Sequence, residues 1–415
     1  MPTTVDDITI LNYPGSKRRL LNFIENTFDK YITGNDTILD IFAGTNTVGY
    51  RTKDKYKLIS NDAELYSYII GKALIENTQK FDFENIKEKF NNHFENNFSM
   101  LKNIFPEHEI ENKFIIEQNI TNLVNFYSNF LNIWQNGFKH REYNNSYHLF
   151  TIYYSNSYFG IKQAMEIDSI RYAIEQFNGS PEYYYLLTAL YYAMKECIFS
   201  KDGHMAQPLN LIKNSRTLLK KREKSILQFF LSKLKDFECQ NFKLSKNGNK
   251  VYNYTLDEIL CNNNLIQMAD LIYADPPYTD LQYSRYYHLL DTVTRYDYPD
   301  ISIAHGKVST GIYRKNRFQS PLSQRGKAKI EIEKLIKICA DLNKKLVFSY
   351  AYPVDISTQK SDRYTMSIDD LKNFFYEYYG TNNTKVVCEK FNHCNNRNKN
   401  VKPVYEYLII GIPNL

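Results

Sequence analysis

Thr37-Ile38-Leu39-Asp40-Ile41-Phe42-Ala43-Gly44-Thr45-Asn46-Thr47 is the stretch on which the fold turns. Its first six residues form a short apolar run, as a strand buried on both faces requires. Small residues and one glycine follow, and Val48-Gly49-Tyr50 opens a helix. Lys57-Leu58-Ile59-Ser60-Asn61-Asp62 reads as the next strand. Strand, glycine turn, helix and strand in that order begin a doubly wound sheet. Upstream, residues 18–32 carry Leu20, Leu21, Phe23, Ile24, Phe28 and Ile32 at helical spacing, and Gly34-Asn35-Asp36 stops that helix. Downstream, Ala269-Asp270-Leu271-Ile272-Tyr273-Ala274 and Lys345-Leu346-Val347-Phe348-Ser349-Tyr350 read as further parallel strands. The tail, from Lys385-Val386-Val387-Cys388 to Tyr405-Glu406-Tyr407-Leu408-Ile409-Ile410, predicts two antiparallel strands with a polar loop between them. From about residue 80 to 255 the chain is rich in Asn, Phe, Tyr and Lys, reads as helical, and contains no comparable strand–glycine–helix unit. The expected organisation is one α/β domain made of residues 1–80 and 256–415, interrupted by a mainly helical insertion at 81–255.

The chain has 415 residues, enough for two domains or for one with a large insertion. Hydrophobic residues make up 43% and tyrosine alone 36 positions, so a packed core is available. The net charge of +6 is mild, and its distribution says more. Between Ile301 and Ile330 stand Lys307, Arg314, Lys315, Arg317, Arg325, Lys327 and Lys329 with no acidic residue among them. Such a run is a solvated loop or a phosphate-tracking one, and its place shortly after the 269–274 strand favours the second. Six cysteines are scattered without a CxxC pair, and Cys388, His393 and Cys394 fall short of a zinc ligand set, so no metal is expected. The first residues lack a basic-plus-apolar signal sequence and no run of 18 apolar residues occurs. A soluble, cytoplasmic protein with reduced thiols and no membrane contact is expected.

The chemistry concentrates at predicted strand ends. Asp275-Pro276-Pro277-Tyr278 follows the 269–274 run. Read blandly, it is a tight Pro-Pro turn. At the carboxyl edge of an open sheet, where ligands bind, it can also hold a planar amine by its hydrogens and stack on the ring bearing it. Asp40 closes the first strand, and Gly44 lets the backbone approach a ligand. Asp62, ending the second strand, is placed to accept from a ribose diol or to cap the helix at Ala63-Glu64-Leu65, and the placement favours the ribose. Neither GxGxxG nor GxxxxGK[ST] is present, which argues against a dinucleotide and against a P-loop nucleotide. A nucleoside without phosphates fits better, and S-adenosylmethionine has that character.

Taken in order, these segments resemble the D12 class of N6-adenine DNA methyltransferases, the family of the Dam methylases. Tyr13-Pro14-Gly15-Ser16-Lys17 is similar to its N-terminal motif, Asp40-Ile41-Phe42-Ala43-Gly44-Thr45-Asn46 to its cofactor loop, and 275–278 to its catalytic motif, with Asp62 at the second-strand acidic position. The linear order is that of the family's α group. Asn156-Ser157-Tyr158-Phe159-Gly160, residues 167–172 and residues 282–288 resemble, more loosely, a longer subgroup. One departure is plain: Asn46 stands at the loop's second glycine, where asparagine tolerates left-handed backbone better than most residues.

The resemblance implies a Rossmann-like, S-adenosylmethionine-dependent domain with an inserted target-recognition region. Tyr13, Gly15, Lys17, Asp40, Phe42, Gly44, Thr45, Asp62 and Asp275 are then cofactor-binding, with Lys17 on the cofactor carboxylate. Asp275, Pro276, Pro277 and Tyr278 are catalytic. Tyr278 stacks on an adenine flipped from the duplex, and the Asp275 carboxylate and Pro276 carbonyl each accept one N6 hydrogen. Arg314, Lys315, Arg317, Lys201 and His204 are the expected DNA contacts, and His288 and Trp134 read as structural. The partner is double-stranded DNA, with a cognate endonuclease acting separately and the enzyme a monomer. The alternatives left open are an rRNA adenine-N6 methyltransferase, a DNA cytosine-N4 methyltransferase and a non-catalytic DNA-binding relative.

Overall fold

The structure is a computed structural model of the chain. It describes residues 8–13, 15–135, 146–200, 203–239, 242–245, 248–354, 364–393 and 402–413, without the side chains of 129–135, 304, 392, 393 and 402. Lys201 and Cys394 lie outside the described residues, as does the side chain of Trp134. The described strands are β1 (Thr37–Asp40), β2 (Lys57–Asn61), β3 (Lys250–Tyr252), β4 (Leu271–Ala274), β5 (Ile303–Ala304), β6 (Lys307–Val308), β7 (Lys345–Pro353), β8 (Thr384–His393) and β9 (Lys402–Gly411). The chain forms two compact units.

The first unit, Tyr13–Thr78 with Lys243–Tyr283 and Phe318–Leu415, is built on a seven-stranded sheet in the order β3-β2-β1-β4-β7-β9-β8. β3, β2, β1, β4 and β7 run parallel, and β9 lies antiparallel between β7 and β8. This is the expected doubly wound sheet with its antiparallel tail. Every residue of β1 and β4 is buried, as their apolar composition demands. Leu39 pairs with Ile272 across them, and the Thr37 N–H donates to Asp270 Oδ2 at 2.8 Å. Pro276 and Pro277, which have no N–H, stop β4 from continuing. The core on one side of the sheet joins Leu39, Ile59, Ile272, Leu346, Phe348 and Ile409 to Ile332, Leu335, Ile336, Leu371 and Phe375 of helices Arg325–Asp341 and Ile368–Tyr379.

Two local expectations differ from the structure. The helix expected at 18–32 is a 3₁₀ turn, Lys17–Leu20, followed by a helix over Leu21–Phe28. β3 falls inside the stretch read as mainly helical. Lys-Val-Tyr is too short to show an apolar run, and it holds its place by backbone pairing with β2, Ser60 opposite Val251.

The second unit comprises Met1–Asn12, Gln79–Phe242 and Ser284–Arg317. It is helical over the insertion, with long helices at Glu84–Ile104, Ile161–Glu175, Pro181–Cys197 and Ile226–Glu238. Much of the aromatic content goes into its core: Phe81 meets Tyr185 at 5.1 Å, and Phe90 stacks on Phe230 at 5.2 Å. Ser225 caps the last of these helices by accepting from the Gln228 N–H at 3.2 Å. His288 is buried with Nε2 2.9 Å from the Met205 carbonyl, and burial pushes its imidazole down to about 3, so it is neutral and structural.

The basic run at 301–330 is not one loop. Ile303–Ala304 and Lys307–Val308 form a small hairpin around His305 and Gly306, both left-handed, in the helical unit. Beyond Phe318 the chain belongs to the sheet unit, and Arg325, Lys327 and Lys329 lie on the helix that begins at Arg325. Seven cations without an acid resemble a loop, but Ala328, Ile332, Leu335 and Ile336 bury a helical stripe that the charges obscure.

Candidate active site

The parallel strands set the site. β1 and β4 are neighbours where the strand order reverses, β1 leading on to β2 on one flank and β4 to β7 on the other, and ligands bind in the crevice beyond the carboxyl ends of such strands. Asp40 is the last residue of β1, Asp62 follows β2, and Asp275 follows β4. The cavity there is lined by Tyr13, Gly15, Lys17, Asp40, Phe42, Gly44, Thr45, Asp62, Asp275, Pro276, Pro277 and Tyr278. The structure thus brings together each residue that the sequence assigned to catalysis or to the cofactor.

The glycine loop is held from below. The Gly44 N–H donates to Asp62 Oδ2 at 2.8 Å, and the Glu64 N–H to Asp62 Oδ1 at 2.9 Å. The Ser67 hydroxyl and the Ala63 N–H also donate to this carboxylate. Burial, only partly offset by these bonds, pushes the Asp62 carboxyl up to about 6. A Cβ on Gly44 (φ +53°) would stand 3.0 Å from the Tyr13 ring, and one on Gly15 (φ +80°) 3.1 Å from the Tyr278 hydroxyl oxygen. Both positions need glycine for conformation and for space.

Asn46 answers the departure in the loop. It adopts the left-handed backbone, φ 58° and ψ 28°, that a glycine would supply. Its amide donates to the Ser67 carbonyl at 3.1 Å and accepts from Ser60 Oγ at 2.5 Å. The side chain is buried behind the loop and does not line the cavity.

Asp275 sits among charges. Lys17 Nζ is 2.7 Å from its Oδ1, 3.3 Å from the Gly15 carbonyl and 3.5 Å from Glu406 Oε1. Lys17, expected from the sequence to meet a cofactor carboxylate, lines the cavity with its ammonium against two carboxylates of the protein, 5.7 Å from the centre of the Tyr278 ring. Burial alone works to lower the Lys17 pKa, but Asp275 and Glu406 outweigh it and hold the ammonium charged. Burial pushes the Asp275 carboxyl up to about 7 against the pull of Lys17, and Glu406 adds to the rise. Asp40, buried and repelled by Asp275 and Asp62, is raised well above the carboxylate range, and its Oδ1 has no hydrogen-bond partner among the described residues.

The aromatic walls are ordered by one another. Tyr13 stacks on Tyr283 at 4.8 Å, and Tyr278 lies 6.0 Å from Tyr364, nearly parallel, with its edge towards Tyr350. Flat apolar walls, acceptors at Asp62 and an unfilled acceptor at Asp40 fit an adenosine-like ligand that also bears an amine. Sequence reasoning missed Glu406, Ser349 and Tyr364. A signal for Glu406 existed: Val404, Glu406 and Leu408 alternate on one face of β9, so a charge was pointing into the core.

The residues expected to meet DNA belong to the helical unit. Arg314 is taken up within it, by Asp291 at 3.1 Å and Asp297 at 2.5 Å, carboxylates that are close in the fold and separate in sequence. Lys315 is exposed, Arg317 stands 5.1 Å from the centre of the Tyr313 ring, and the His204 ring meets Tyr286 at 5.1 Å. Lys201 cannot be placed, since it lies outside the described residues.

The profile of the D12 class N6 adenine-specific DNA methyltransferase family matches residues 13–337. The chain is 28% identical over 395 residues to modification methylase LlaI of Lactococcus lactis subsp. lactis, covering 91% of this chain and 53% of that protein. It is 26% identical over 408 residues to modification methylase StsI of Streptococcus sanguinis, covering 96% and 51%. It is 23% identical over 406 residues to type II methyltransferase M.NlaIII of Neisseria lactamica, covering 96% and 98%. The chain therefore spans about half the length of LlaI and StsI and nearly all of M.NlaIII.

Proposed function

The chain belongs to the D12 class N6 adenine-specific DNA methyltransferase family, and on that premise we propose that it methylates N6 of adenine at a specific site in duplex DNA, with S-adenosylmethionine as donor. The observation that carries the reading is the Asp275 carboxylate, lodged with Pro276, Pro277 and Tyr278 on one wall of a cavity whose other wall is the glycine loop. S-adenosylmethionine, when bound, supplies an electrophilic methyl group. Asp62 accepts from its ribose hydroxyls and Asp40 from an amine hydrogen, while Gly15 and Gly44 let the backbone lie close. Because N6 is paired in the duplex, the target base must leave the stack. Tyr278 stacks on the extruded ring. Asp275 and the Pro276 carbonyl accept the two N6 hydrogens, which turns the nitrogen lone pair out of conjugation. The gain in rate comes from positioning and from acceptors aimed at charge developing on nitrogen.

Two relatives are named modification methylases, and this supports a role as the modification partner of a separately acting restriction endonuclease. In this reading the enzyme works on DNA in the cytoplasm as a monomer; no helix among the described residues is long and apolar enough to cross a membrane. Lys315, Arg317, His204 and Lys201 serve as backbone contacts in this reading. Arg314, already paired, supports the shape of its segment. The non-catalytic alternative rested on Asn46, and the left-handed turn that Asn46 makes speaks against it.

Modified-base sequencing of DNA from a methylation-free host expressing the chain tests the proposal. N6-methyladenine confined to one short motif is the expected result. N4-methylcytosine would move the target base, and an unmodified genome alongside protein that binds S-adenosylmethionine would move the substrate to RNA.

A further inference from the structure

We propose that Glu406 is a positioning residue of this site, which shares Lys17 with Asp275 and so keeps Asp275 a strong hydrogen-bond acceptor. The inference rests on the reading of Asp275 as the acceptor of the N6 hydrogens.

Glu406 lies on β9, opposite Ala351 of β7, and is 1% exposed. Val404 and Leu408, on the same face, are buried apolar residues. A carboxylate in such a place is costly unless it is paired. Ser349 Oγ donates to its Oε1 at 2.5 Å, and Lys17 Nζ approaches the same oxygen to 3.5 Å. Ser349 thus fixes Glu406, and Glu406 helps to fix Lys17. Lys17 in turn reaches Asp275 Oδ1 at 2.7 Å.

One ammonium divided between two carboxylates neutralises neither. If Lys17 faced Asp275 alone, its charge would quench the acceptor. With Glu406 beside it, Lys17 quenches Asp275 less, and the ionised carboxylate is the more basic and so the stronger acceptor for the substrate amine. Lys17 from the 3₁₀ turn, Asp40 from β1, Tyr273 from β4, Glu406 from β9, and Tyr278 and Tyr283 from the loop after β4 are the titratable groups that face Asp275. Lys17 pulls its pKa down, while burial and Glu406 raise it. Ionised Asp275 accepts its N6 hydrogen while still held by Lys17, and the protonated acid is the far weaker acceptor, so the methyl-transfer rate falls as the pH drops through about 7.

The test is the titration of Asp275 by carboxyl-carbon NMR in protein without cofactor, beside the single-turnover pH profile with DNA. Glu406→Gln keeps the shape and removes the charge. It is expected to lower the Asp275 midpoint and the acid limb of the rate by about one pH unit. The plateau rate should fall about tenfold with S-adenosylmethionine affinity unchanged. Glu406→Asp, with its charge withdrawn by one methylene, should lie between. An unmoved midpoint in folded Glu406→Gln overturns the proposal. Should that variant not fold, an unmoved midpoint in Glu406→Asp does the same. A failed methyltransferase reading looks different: the wild type methylates nothing, yet the midpoints still shift.

Discussion

Asp168 in the helical unit is fully buried and Asp275 in the sheet unit is half-buried, and loss of solvation raises both carboxyls, to about 6 and about 7. Their surroundings separate them. Asp168 accepts from the Phe150 N–H at 2.8 Å, the Thr151 N–H at 2.8 Å, Thr151 Oγ1 at 2.7 Å and the Tyr296 hydroxyl. It staples the start of helix Leu149–Tyr153 to helix Ile161–Glu175, and its acceptor capacity is spent. Asp275 has Lys17 on one oxygen and a cavity beside it. Burial and a raised pKa therefore do not mark a site. Acceptor capacity left open towards a space that a ligand can enter does.

The largest effect that can break this contrast is on chemistry. Asp275→Ala should lower the single-turnover rate of methyl transfer about a thousandfold, with S-adenosylmethionine affinity held within about threefold by calorimetry. A variant as active as the parent would make Asp275 a second structural carboxylate. Next comes stability. Asp168→Ala leaves two N–H groups, the Thr151 hydroxyl and the Tyr296 hydroxyl without their acceptor, and urea unfolding should register a loss of about 3 kcal/mol in the helical unit. Cofactor affinity should stay as it is, and a change there would mean that Asp168 belongs to the site after all. The smallest effect sharpens the contrast within the sheet unit. Asp40→Asn replaces the unfilled carboxyl, which can ionise against a ligand's ammonium, by an amide that cannot, so the Kd for S-adenosylmethionine should rise about tenfold, roughly 1.4 kcal/mol, at unchanged thermal stability. No rise would show that Asp40 does not face the cofactor.

The sheet and the cavity were legible because their determinants are local. An apolar run followed by Asp and Gly, or by Asp and two prolines, is strand and turn chemistry visible in about ten residues, and parallel strands bring such ends to one edge. What escaped depends on partners far away in the chain. Lys17 reads as an anion ligand in its own segment, yet its surroundings come from residues 275 and 406. Arg314 looks free in a run without acids, but Asp291 and Asp297 lie just upstream of that run. β3 has no sequence signal because pairing with β2 makes it a strand. Glu406 was recoverable, had the alternation along β9 been read for its one exception.

The adjacency of β1 and β4 has a consequence for synthesis. Thr37 and Asp270, 233 residues apart, are joined across that pair. On a ribosome adding 5–20 residues per second, β1 waits roughly ten to fifty seconds for its neighbour to emerge. Through that interval an apolar strand has one open edge, which invites aggregation or chaperone capture. The intervening helices, whose contacts are more local, can form meanwhile. Yield of active protein should then depend on translation speed and on chaperone supply more than on the equilibrium stability of the finished sheet.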